Sequence, residues 1–270
     1  MATSDHLRRF SGIERLYGTD SLVRLAAAHV CVIGIGGVGA WAVEALARSG
    51  VGRLTLIDLD HVAESNINRQ VHALEATLGQ AKVTAMRERI AQINPACAVE
   101  CIEEFITPEN VATLLPNCDA VIDAIDQMRA KAALIMRCRA SKTFIVTTGG
   151  AGGRVDPTRV RVDDLARTTQ DALASKLRAF LRKEHGFTRD PKKKFGVACV
   201  YSDEPIRRTP FGAFHPASPE KGIPFGHADF CDTDSGAVHG LNCAGYGSSV
   251  AVTASFGFAA AARALDILVK

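Results

Sequence analysis

The stretch that decides the fold is His29-Val-Cys-Val-Ile-Gly34-Ile-Gly36-Gly37-Val-Gly39. A short, largely β-branched apolar run leads directly into a glycine-rich turn, and a helical pattern over 38–49 follows. Glycines let the backbone turn sharply and approach a phosphate closely, and the start of the next helix presents unpaired N–H groups and the positive end of its dipole. The stretch therefore predicts a strand–loop–helix unit that holds the phosphates of an adenine nucleotide.

The same alternation of apolar runs and helical segments extends outward along the chain. Predicted strands cover 29–33, 53–57, 98–102, 120–124 and 143–147, and predicted helices cover 5–28, 38–49, 79–94, 108–115 and 127–140. Later strands are predicted at 159–162 and 197–201, with an antiparallel pairing left open, and a basic amphipathic helix at 170–184. Short buried strands separated by helices predict an α/β fold with a Rossmann-like, mainly parallel sheet flanked by helices.

Length and composition set the outer limits. The chain has 270 residues, of which 47% are apolar and 23% charged, so collagen, coiled coil and wholesale disorder are excluded. We expect a single domain, 1–270, with a nucleotide-binding half, 1–150, and a substrate-facing half, 151–270. A mobile segment is expected at 203–240, which is rich in Pro, Gly and His. The net charge of +3 is too small to indicate a nucleic-acid binder by itself.

No signal peptide or membrane span is expected. The first ten residues include Asp5, Arg8 and Arg9 and no apolar run. The uncharged stretch 235–262 is broken by glycines until about Ser249, which favours a buried core helix over a membrane span. The eight cysteines form no C-x-x-C pair, so we expect reduced thiols, a cytoplasmic protein and no zinc.

Charged residues after the second predicted strand favour a triphosphate over a dinucleotide. Asp58 ends that strand, 19 residues after Gly39, where a carboxylate can accept hydrogen bonds from ribose hydroxyls. Arg69 and Lys82 add cations that a departing pyrophosphate needs and that a dinucleotide does not. Asp123-Ala-Ile-Asp126, at the end of the fourth strand, places a carboxylate where it could hold Mg²⁺ beside the phosphates. These residues disfavour the alternative of an NAD-dependent oxidoreductase.

On these residues the chain resembles the E1-like activating enzymes, the superfamily of ubiquitin-activating and sulfur-carrier-adenylating enzymes. The resemblance covers about 29–150 and implies an E1-like adenylation fold with a C-terminal extension, with ATP and Mg²⁺ as cofactors. It also implies a set of nucleotide-binding residues. They are Gly34, Gly36, Gly37, Gly39, Asp58, Asp60, Asn66, Arg69, Gln70 and Lys82. Arg69, Lys82 and Asp126 are the implied catalytic residues, and Asp126 is the implied magnesium ligand.

The resemblance further implies a homodimer in which an N-terminal arginine reaches the γ-phosphate of the partner subunit. Arg15 in Glu14-Arg-Leu-Tyr-Gly is the candidate for this catalytic role, and Arg9 is second.

Longer strings are similar to the branch of this superfamily that acts on a modified tRNA base. They are Arg15-Leu-Tyr-Gly, Asn68-Arg-Gln-Val-His-Ala, 146–153 with Asp156-Pro-Thr158, and Thr253-Ala-Ser-Phe-Gly-Phe258. That resemblance implies ATP-dependent dehydration of the threonylcarbamoyl side chain on adenosine 37 through a carboxyl-adenylate, with release of AMP and pyrophosphate. The match is weakest over 203–240.

Two further interpretations stay open. One is an enzyme that adenylates the C-terminal glycine of a small sulfur-carrier protein, and the other is a non-catalytic nucleotide-binding scaffold for sulfur trafficking. Many sulfur-carrier enzymes hold zinc through two C-x-x-C pairs, which this sequence lacks. A sulfur-transfer protein is left open as a partner.

A local excess of positive charge marks the predicted tRNA surface. From Asp171 to Lys194 eight basic side chains stand against three acidic ones, a net of +5. A basic helix followed by a lysine run is typical of contacts with RNA phosphates, and a solvated helix face is the alternative. The predicted tRNA-binding residues are Lys176, Arg178, Arg182, Lys183, Lys192, Lys193 and Lys194.

Two sets of residues in the C-terminal half are weaker candidates. Cys243 could form an acyl-thioester, as E1 enzymes do, but ring closure within one side chain needs no enzyme nucleophile, so an incidental thiol is favoured. Cys231 is weaker still. His215, His227 and His239 are 12 residues apart and fit no local metal-ligand motif, so loop histidines are expected.

Overall fold

The computed structural model describes residues 4–207 and 247–270, and its seven strands form one sheet. The strands are β1 (His29–Ile33), β2 (Arg53–Ile57), β3 (Ala98–Ile102), β4 (Ala120–Asp123), β5 (Phe144–Thr148), β6 (Val160–Asp164) and β7 (Ala198–Ser202). Their order is β3-β2-β1-β4-β5-β7-β6, and every neighbouring pair is parallel except β6 with β7 at the edge. The predicted mainly parallel α/β fold is confirmed, and the later strands are the antiparallel pair.

Helices cover both faces of this sheet. They are α1 (Ser4–Tyr17), α2 (Ser21–Ala27), α3 (Gly39–Arg48), α4 (Lys82–Ile93), α5 (Val111–Leu114), α6 (Met128–Ser141), α7 (Ala172–Glu184) and α8 (Val250–Leu268). One cluster of buried side chains joins α3, α4 and α8 to the face that carries Val30 and Val32 of β1. A second cluster joins α5, α6 and α7 to the face that carries Cys31 and Ile33. Because β1 is buried on both faces, its residues form a continuous apolar run.

The C-terminal helix belongs to this core. By length and composition, α8 could cross a membrane, but half of its most apolar stretch of residues is buried inside the fold. It packs along α3, where Gly257 allows the two backbones to meet, since a Cβ there would lie 2.4 Å from the carbonyl oxygen of Val38. The burial agrees with the expected core helix.

The predicted single helix over 5–28 is wrong. The structure has two helices, α1 and α2, separated at Gly18 and Asp20, whose φ angles are +92° and +68°. Left-handed backbone at these residues cannot continue a right-handed helix. The apolar periodicity continued across the break because both helices pack against the same core.

The expected mobile segment 203–240 is described only at its start. Residues 203–207 are tied to the chain before β6, because Glu204 is buried and its Oε2 accepts the N–H groups of Val155 and Asp156 at 3.0 and 2.9 Å. The remainder of the segment lies outside the described residues. All five weaker candidates also lie outside the described residues, namely His215, His227, Cys231, His239 and Cys243.

Candidate active site

A cleft of about 350 Å³ opens at the carboxyl ends of β1, β2, β4 and β5. The chain leaves β1 toward β2 and β3 and then returns to β4 on the other side, so the cleft lies at the switch point where parallel sheets bind ligands. Eight of the predicted nucleotide-binding residues line it. They are Gly34, Gly36, Gly37, Asp58, Asp60, Arg69, Gln70 and Lys82. Asp126, the predicted magnesium ligand, lines the cleft with them.

The first glycine loop is shaped by close backbone contacts. Gly34 has φ +84°, and a Cβ at this residue would lie 3.0 Å from the backbone of Ala124. A Cβ at Gly39 would lie only 1.8 Å from the carbonyl oxygen of Gly34. Gly39 therefore packs behind the loop and does not line the cleft. The structure gives it a steric role, since it lets α3 begin directly under the loop, and its role in nucleotide binding stays a prediction.

Asp58 connects the glycine loop to the end of β2. Its buried carboxylate accepts the N–H of Ile35 at 2.6 Å and the N–H of Asp60 at 2.8 Å. Burial is the main cause that raises the pKa of Asp58 above its usual range, opposed by nearby Lys82. The residue predicted to contact ribose thus also anchors the phosphate loop.

Two cations project into the cleft from different elements. Lys82, at the first turn of α4, is buried, and its Nζ lies 2.6 Å from Oδ2 of the half-exposed Asp60. Nη1 of Arg69 donates to the carbonyl oxygen of Ser65 at 2.6 Å and to Oδ1 of Asn68 at 2.8 Å. Burial lowers the pKa of Arg69 from its usual value, which still leaves a guanidinium charged at neutral pH. Each cation is held in place by protein oxygens.

Two amide side chains near these cations have different surroundings. Gln70 is buried at the cleft, and its Oε1 has no hydrogen-bond partner among the described residues, so it can accept from a ligand. Asn66 does not line the cleft. Its Oδ1 accepts the N–H of Ala63 at 3.1 Å and closes the turn that leads to Arg69. In this structure Asn66 therefore supports the turn that carries Arg69, and its predicted contact with the nucleotide stays a prediction.

The two carboxylates at the end of β4 are not equivalent. Asp123 is completely buried, where Lys131 contacts it at 2.9 Å and the hydroxyl of Thr147 donates to it at 2.6 Å. Asp126 is half-buried and lines the cleft. Magnesium usually takes one or two protein carboxylates and completes its shell with phosphate oxygens and water, so Asp126 beside the phosphate loop fits it. Among residues 4–207 and 247–270 no group of three or more His, Cys, Asp or Glu could hold a metal ion by itself.

Sequence reasoning missed the remaining walls of the cleft. Phe105 and Ile106, which follow β3, give it an apolar side, and their position after a strand end was the available signal. Gly149, Ala151 and Gly152, which follow β5, form another side. The Lys131–Asp123 pair was also missed, because nothing in the sequence shows which of two nearby aspartates turns inward.

The N-terminal arginines lie away from this chain's cleft. Arg15 is exposed near the end of α1 and does not line the cleft. Arg9 contacts Asp5 on the same helix at 2.9 Å. Within one chain, therefore, neither arginine joins the cleft residues.

The predicted tRNA-binding residues divide into two sets. Arg178 and Arg182 are half-buried and serve local packing, because Arg178 donates to the Thr168 hydroxyl and Arg182 lies 5.3 Å from the ring centre of Phe195. The other five residues are exposed on α7 and on the loop after it. They are Lys176, Lys183, Lys192, Lys193 and Lys194. The exposed set has side chains that are not buried in the fold, and its contact with RNA phosphates stays a prediction.

Comparison with known proteins adds to this geometry. A family model described as the ThiF family matches residues 10–269. The tRNA threonylcarbamoyladenosine dehydratase of Haemophilus influenzae is 46% identical over 265 residues, which cover 97% of this chain and 94% of that protein. The crystal structure of E. coli tRNA N6-threonylcarbamoyladenosine dehydratase in complex with ATP has a TM-score of 0.83 and 45% identity, covering 99% of this chain and 96% of that one.

A relative with a different activity is similar over a shorter part of the chain. The molybdopterin-synthase adenylyltransferase of Escherichia coli is 35% identical over 144 residues, which cover 53% of this chain and 57% of that protein. The similarity to the tRNA-modifying relatives thus extends through the second half of the chain.

Proposed function

The chain belongs to the ThiF family, and on that premise we propose that it catalyses the ATP-dependent dehydration of N6-threonylcarbamoyladenosine at position 37 of tRNA. The observation that supports this function is that a glycine loop, Asp58, Arg69, Lys82 and Asp126 meet in one cleft. The chain that carries this cleft is similar to a tRNA threonylcarbamoyladenosine dehydratase over 97% of its length.

The reaction needs a leaving group on a carboxylate. An oxygen of the threonylcarbamoyl carboxylate attacks the α-phosphorus of ATP, and pyrophosphate departs with the electrons of the broken P–O bond. A nucleophilic atom of the same side chain then attacks the acyl carbon and gives its proton to water, which closes the ring and releases AMP. The carboxylate oxygen leaves with AMP, so the base has lost one water. Because the second attack is intramolecular, it needs positioning and exclusion of water more than a strong base.

The cleft residues supply charge where the first step develops it. The N–H groups at the start of α3, together with Lys82 and Arg69, stabilise the phosphate oxygens while pyrophosphate leaves. The ammonium of Lys82 has three donors, so it can contact a phosphate while it keeps Asp60. Asp126 would hold Mg²⁺, which when bound neutralises phosphate charge. Phe105 and Ile106 provide apolar surface for the rest of the nucleotide.

We assign the tRNA surface to α7 and the loop after it. Lys176, Lys183 and the run Lys192–Lys194 are exposed there, and lysines on one surface can follow the phosphates of an RNA. We also place the enzyme in the cytoplasm, where ATP and tRNA are present and where its thiols stay reduced.

A homodimer is part of this proposal. The exposed side of α8 carries Phe258, whose ring lies 5.7 Å from that of Trp41 on α3, and this apolar surface suits a second copy of the chain. Arg15 is exposed and outside its own cleft, which is what a residue donated to the partner's nucleotide requires.

The function is tested by incubating the purified protein with ATP, magnesium and tRNA that carries threonylcarbamoyladenosine, followed by nucleoside mass spectrometry. We expect the nucleoside to lose one water and AMP to form in equal amount. The Asp126→Ala variant serves as the inactive control. An unchanged nucleoside, together with pyrophosphate release only on addition of a small sulfur-carrier protein, would support the adenylyltransferase alternative.

The shared site is tested with mixed dimers. A dimer of one Arg15→Ala subunit and one Asp126→Ala subunit contains one site with both residues intact, so it should regain part of the activity that either parent dimer lacks. Verified mixed dimers without any recovery would count against a donated Arg15.

A further inference from the structure

The second glycine loop of the cleft, 149–153, lies at the end of β5, on the side away from β2 and β3. The predicted nucleotide-binding residues that line the cleft come from the loop after β1, from the end of β2, and from the segment that runs from β2 to the start of α4. Gly149, Ala151 and Gly152 also line the cleft, and the proposed function leaves them without a role. Among residues 4–207 and 247–270, the N–H groups of Ala151 and Gly152 have no protein acceptor.

A buried ion pair holds this loop from behind. Arg154 and Asp171 are each 1% exposed at the side chain, with Nη1 of Arg154 3.4 Å from Oδ2 of Asp171. The same Oδ2 accepts the N–H of Gly150 at 2.9 Å, and Nη1 of Arg154 donates to the carbonyl oxygen of Gly150. Nη2 of Arg154 donates to the carbonyl oxygen of Gln170 at 2.6 Å. Gly150, the second residue of the loop, is therefore held at both its N–H and its C=O.

Two further observations show that this arrangement is tightly constrained. A Cβ on Gly149 would lie 2.1 Å from Oδ2 of Asp171, so the carboxylate occupies the space that a side chain would need. Gln170 has φ +54°, a left-handed conformation that a non-glycine residue adopts at an energetic cost. Apolar replacements often stabilise a protein as well as a buried ion pair does, so stability alone gives little reason to keep this one. Its contribution is to the position of the loop.

Asp171 also connects the loop to the basic helix. It is the N-cap of α7, where its Oδ1 accepts the N–H of Ala174 at 2.8 Å. One carboxylate thus contacts both the cleft loop and the helix that carries exposed Lys176 and Lys183. The side chain of Asp171 thus fixes the position of α7 relative to this loop. If a tRNA binds along α7, the same side chain sets where its modified base lies relative to the loop.

From these contacts we propose that Arg154 and Asp171 are positioning residues, and that they hold the N–H groups of Ala151 and Gly152 as the seat for the carboxylate of the threonylcarbamoyl group. The inference rests on the proposed function and deepens it, because it assigns the acyl substrate to the β5 side of the cleft. Two adjacent N–H donors suit an anionic carboxylate before it attacks the nucleotide. The bond from Arg154 to the carbonyl oxygen of Gly150 fixes the direction of the Ala151 N–H, because both groups belong to one planar peptide unit.

The central test is Asp171→Asn, because the change separates two functions of one carboxylate. Asn is as good an N-cap as Asp, so one amide oxygen can keep the bond to Ala174. The amide nitrogen is a donor and cannot accept the N–H of Gly150, so the loop loses its anchor. Arg154→Gln removes the other half of the pair. Matched controls are Asp156→Asn, which changes the exposed cap of 157–159, and Arg159→Gln, which changes a surface pair with Asp203.

Four quantities are measured for each variant: Tm, Kd for ATP without tRNA, and kcat and KM for tRNA that carries threonylcarbamoyladenosine. We expect kcat to fall on the order of 10- to 100-fold in Asp171→Asn and Arg154→Gln, since misplacement by a fraction of an ångström has effects of this size. The Kd for ATP should stay within about twofold of wild type. Both control variants should match wild type in kcat.

Three outcomes would overturn the inference. If Asp171→Asn and Arg154→Gln have the same kcat and KM as the control variants, the loop does not need the ion pair as an anchor. ATP affinity that falls in parallel with kcat would place the loop in the nucleotide site instead. If Asp171→Asn does not fold, Arg154→Lys keeps the charge and loses the planar fork, and wild-type kcat in that variant would also overturn the inference. A wild-type protein inactive on the tRNA would instead contradict the proposed function.

Discussion

The two glycine loops of the cleft are built by different means. The loop at 34–39 depends mainly on backbone sterics, because Gly39 packs against the carbonyl oxygen of Gly34, and its Ile35 N–H donates to the single carboxylate of Asp58. The loop at 149–153 depends on a buried ion pair, formed by Asp171 and Arg154. The first loop is thus shaped mainly by contacts between backbone atoms, whereas the second is shaped by two buried charged side chains.

This difference separates the roles of the two sides of the cleft. The nucleotide side repeats a local solution for holding phosphates, which recurs wherever a glycine loop precedes a helix. The substrate side is held by a particular set of buried charges, so its geometry can be specialised for one substrate. Variants that affect the two sides should therefore differ in whether they change stability, nucleotide binding or turnover.

The largest effect is expected from Gly39→Ala on the nucleotide side. Its Cβ would meet a main-chain oxygen that cannot move without rebuilding the loop, so we expect a loss of more than about 4 kcal/mol in the free energy of unfolding. ATP binding should be lost with it. Gly36→Ala is the matched control, because a Cβ there has nothing within 4 Å. Urea denaturation measures both variants, and equal stabilities would show that the loop is not sterically fixed.

The adjacent carboxylates at the end of β4 should separate stability from turnover. Asp123→Ala leaves the ammonium of Lys131 buried without its partner, at a cost of about 3–5 kcal/mol in the free energy of unfolding. Asp126→Ala should leave the denaturation midpoint unchanged and abolish ATP turnover, since this side chain lines the cleft. Wild-type turnover by Asp126→Ala at saturating magnesium would contradict the assignment of the metal ligand.

The third prediction concerns a histidine in the nucleotide half. His72 is buried, both its ring nitrogens lack partners among the described residues, and burial lowers its pKa to about 4. The unfolded chain takes up this proton near pH 6.5. Stability should therefore fall as the pH drops from about 6.5 to 4, by up to about 1.4 kcal/mol per pH unit from this group.

The His72→Gln variant should lose that part of the pH dependence and keep the rest. Urea midpoints at several pH values measure it, and His185→Gln, which changes an exposed histidine, is the control. The same slope in His72→Gln as in wild type would mean that His72 is not the titrating group.

The smallest effect is expected on the exposed part of the substrate side. Neutralising Lys192, Lys193 and Lys194 together should weaken tRNA binding and barely change ATP affinity. Each lost phosphate contact should make the log–log salt slope of binding shallower by about 0.7–0.9. The control is a second triple variant, Arg53→Gln with Arg87→Gln and Lys270→Gln, which neutralises three exposed cations elsewhere on the protein. Identical slopes for the lysine variant and wild type would remove the run from the tRNA surface.

Prediction from the sequence succeeded where a short local pattern defines an element, and it failed at one backbone turn and at side chains whose neighbours come from elsewhere in the chain. The strands and the glycine loop follow from local patterns, and so does the place of Asp58, because the strand ends of a parallel sheet meet at one edge. The break at Gly18 was missed, since apolar periodicity alone does not report a positive φ angle. Arg178, predicted to contact tRNA, is half-buried and donates to Thr168, a contact that the charge pattern does not reveal.

By itself, the sequence determined the parallel α/β sheet, the glycine loop after β1 and the family to which the chain is similar. All three depend on residue type and spacing within short segments, and these persist whatever packs around them. The tertiary structure alone decided that Asp123 is buried with Lys131, and that Gly39 and Asn66 do not line the cleft. It also decided that Arg154 and Asp171 hold the second loop. Side-chain direction and burial depend on neighbours from other elements, which are brought together only when the chain folds.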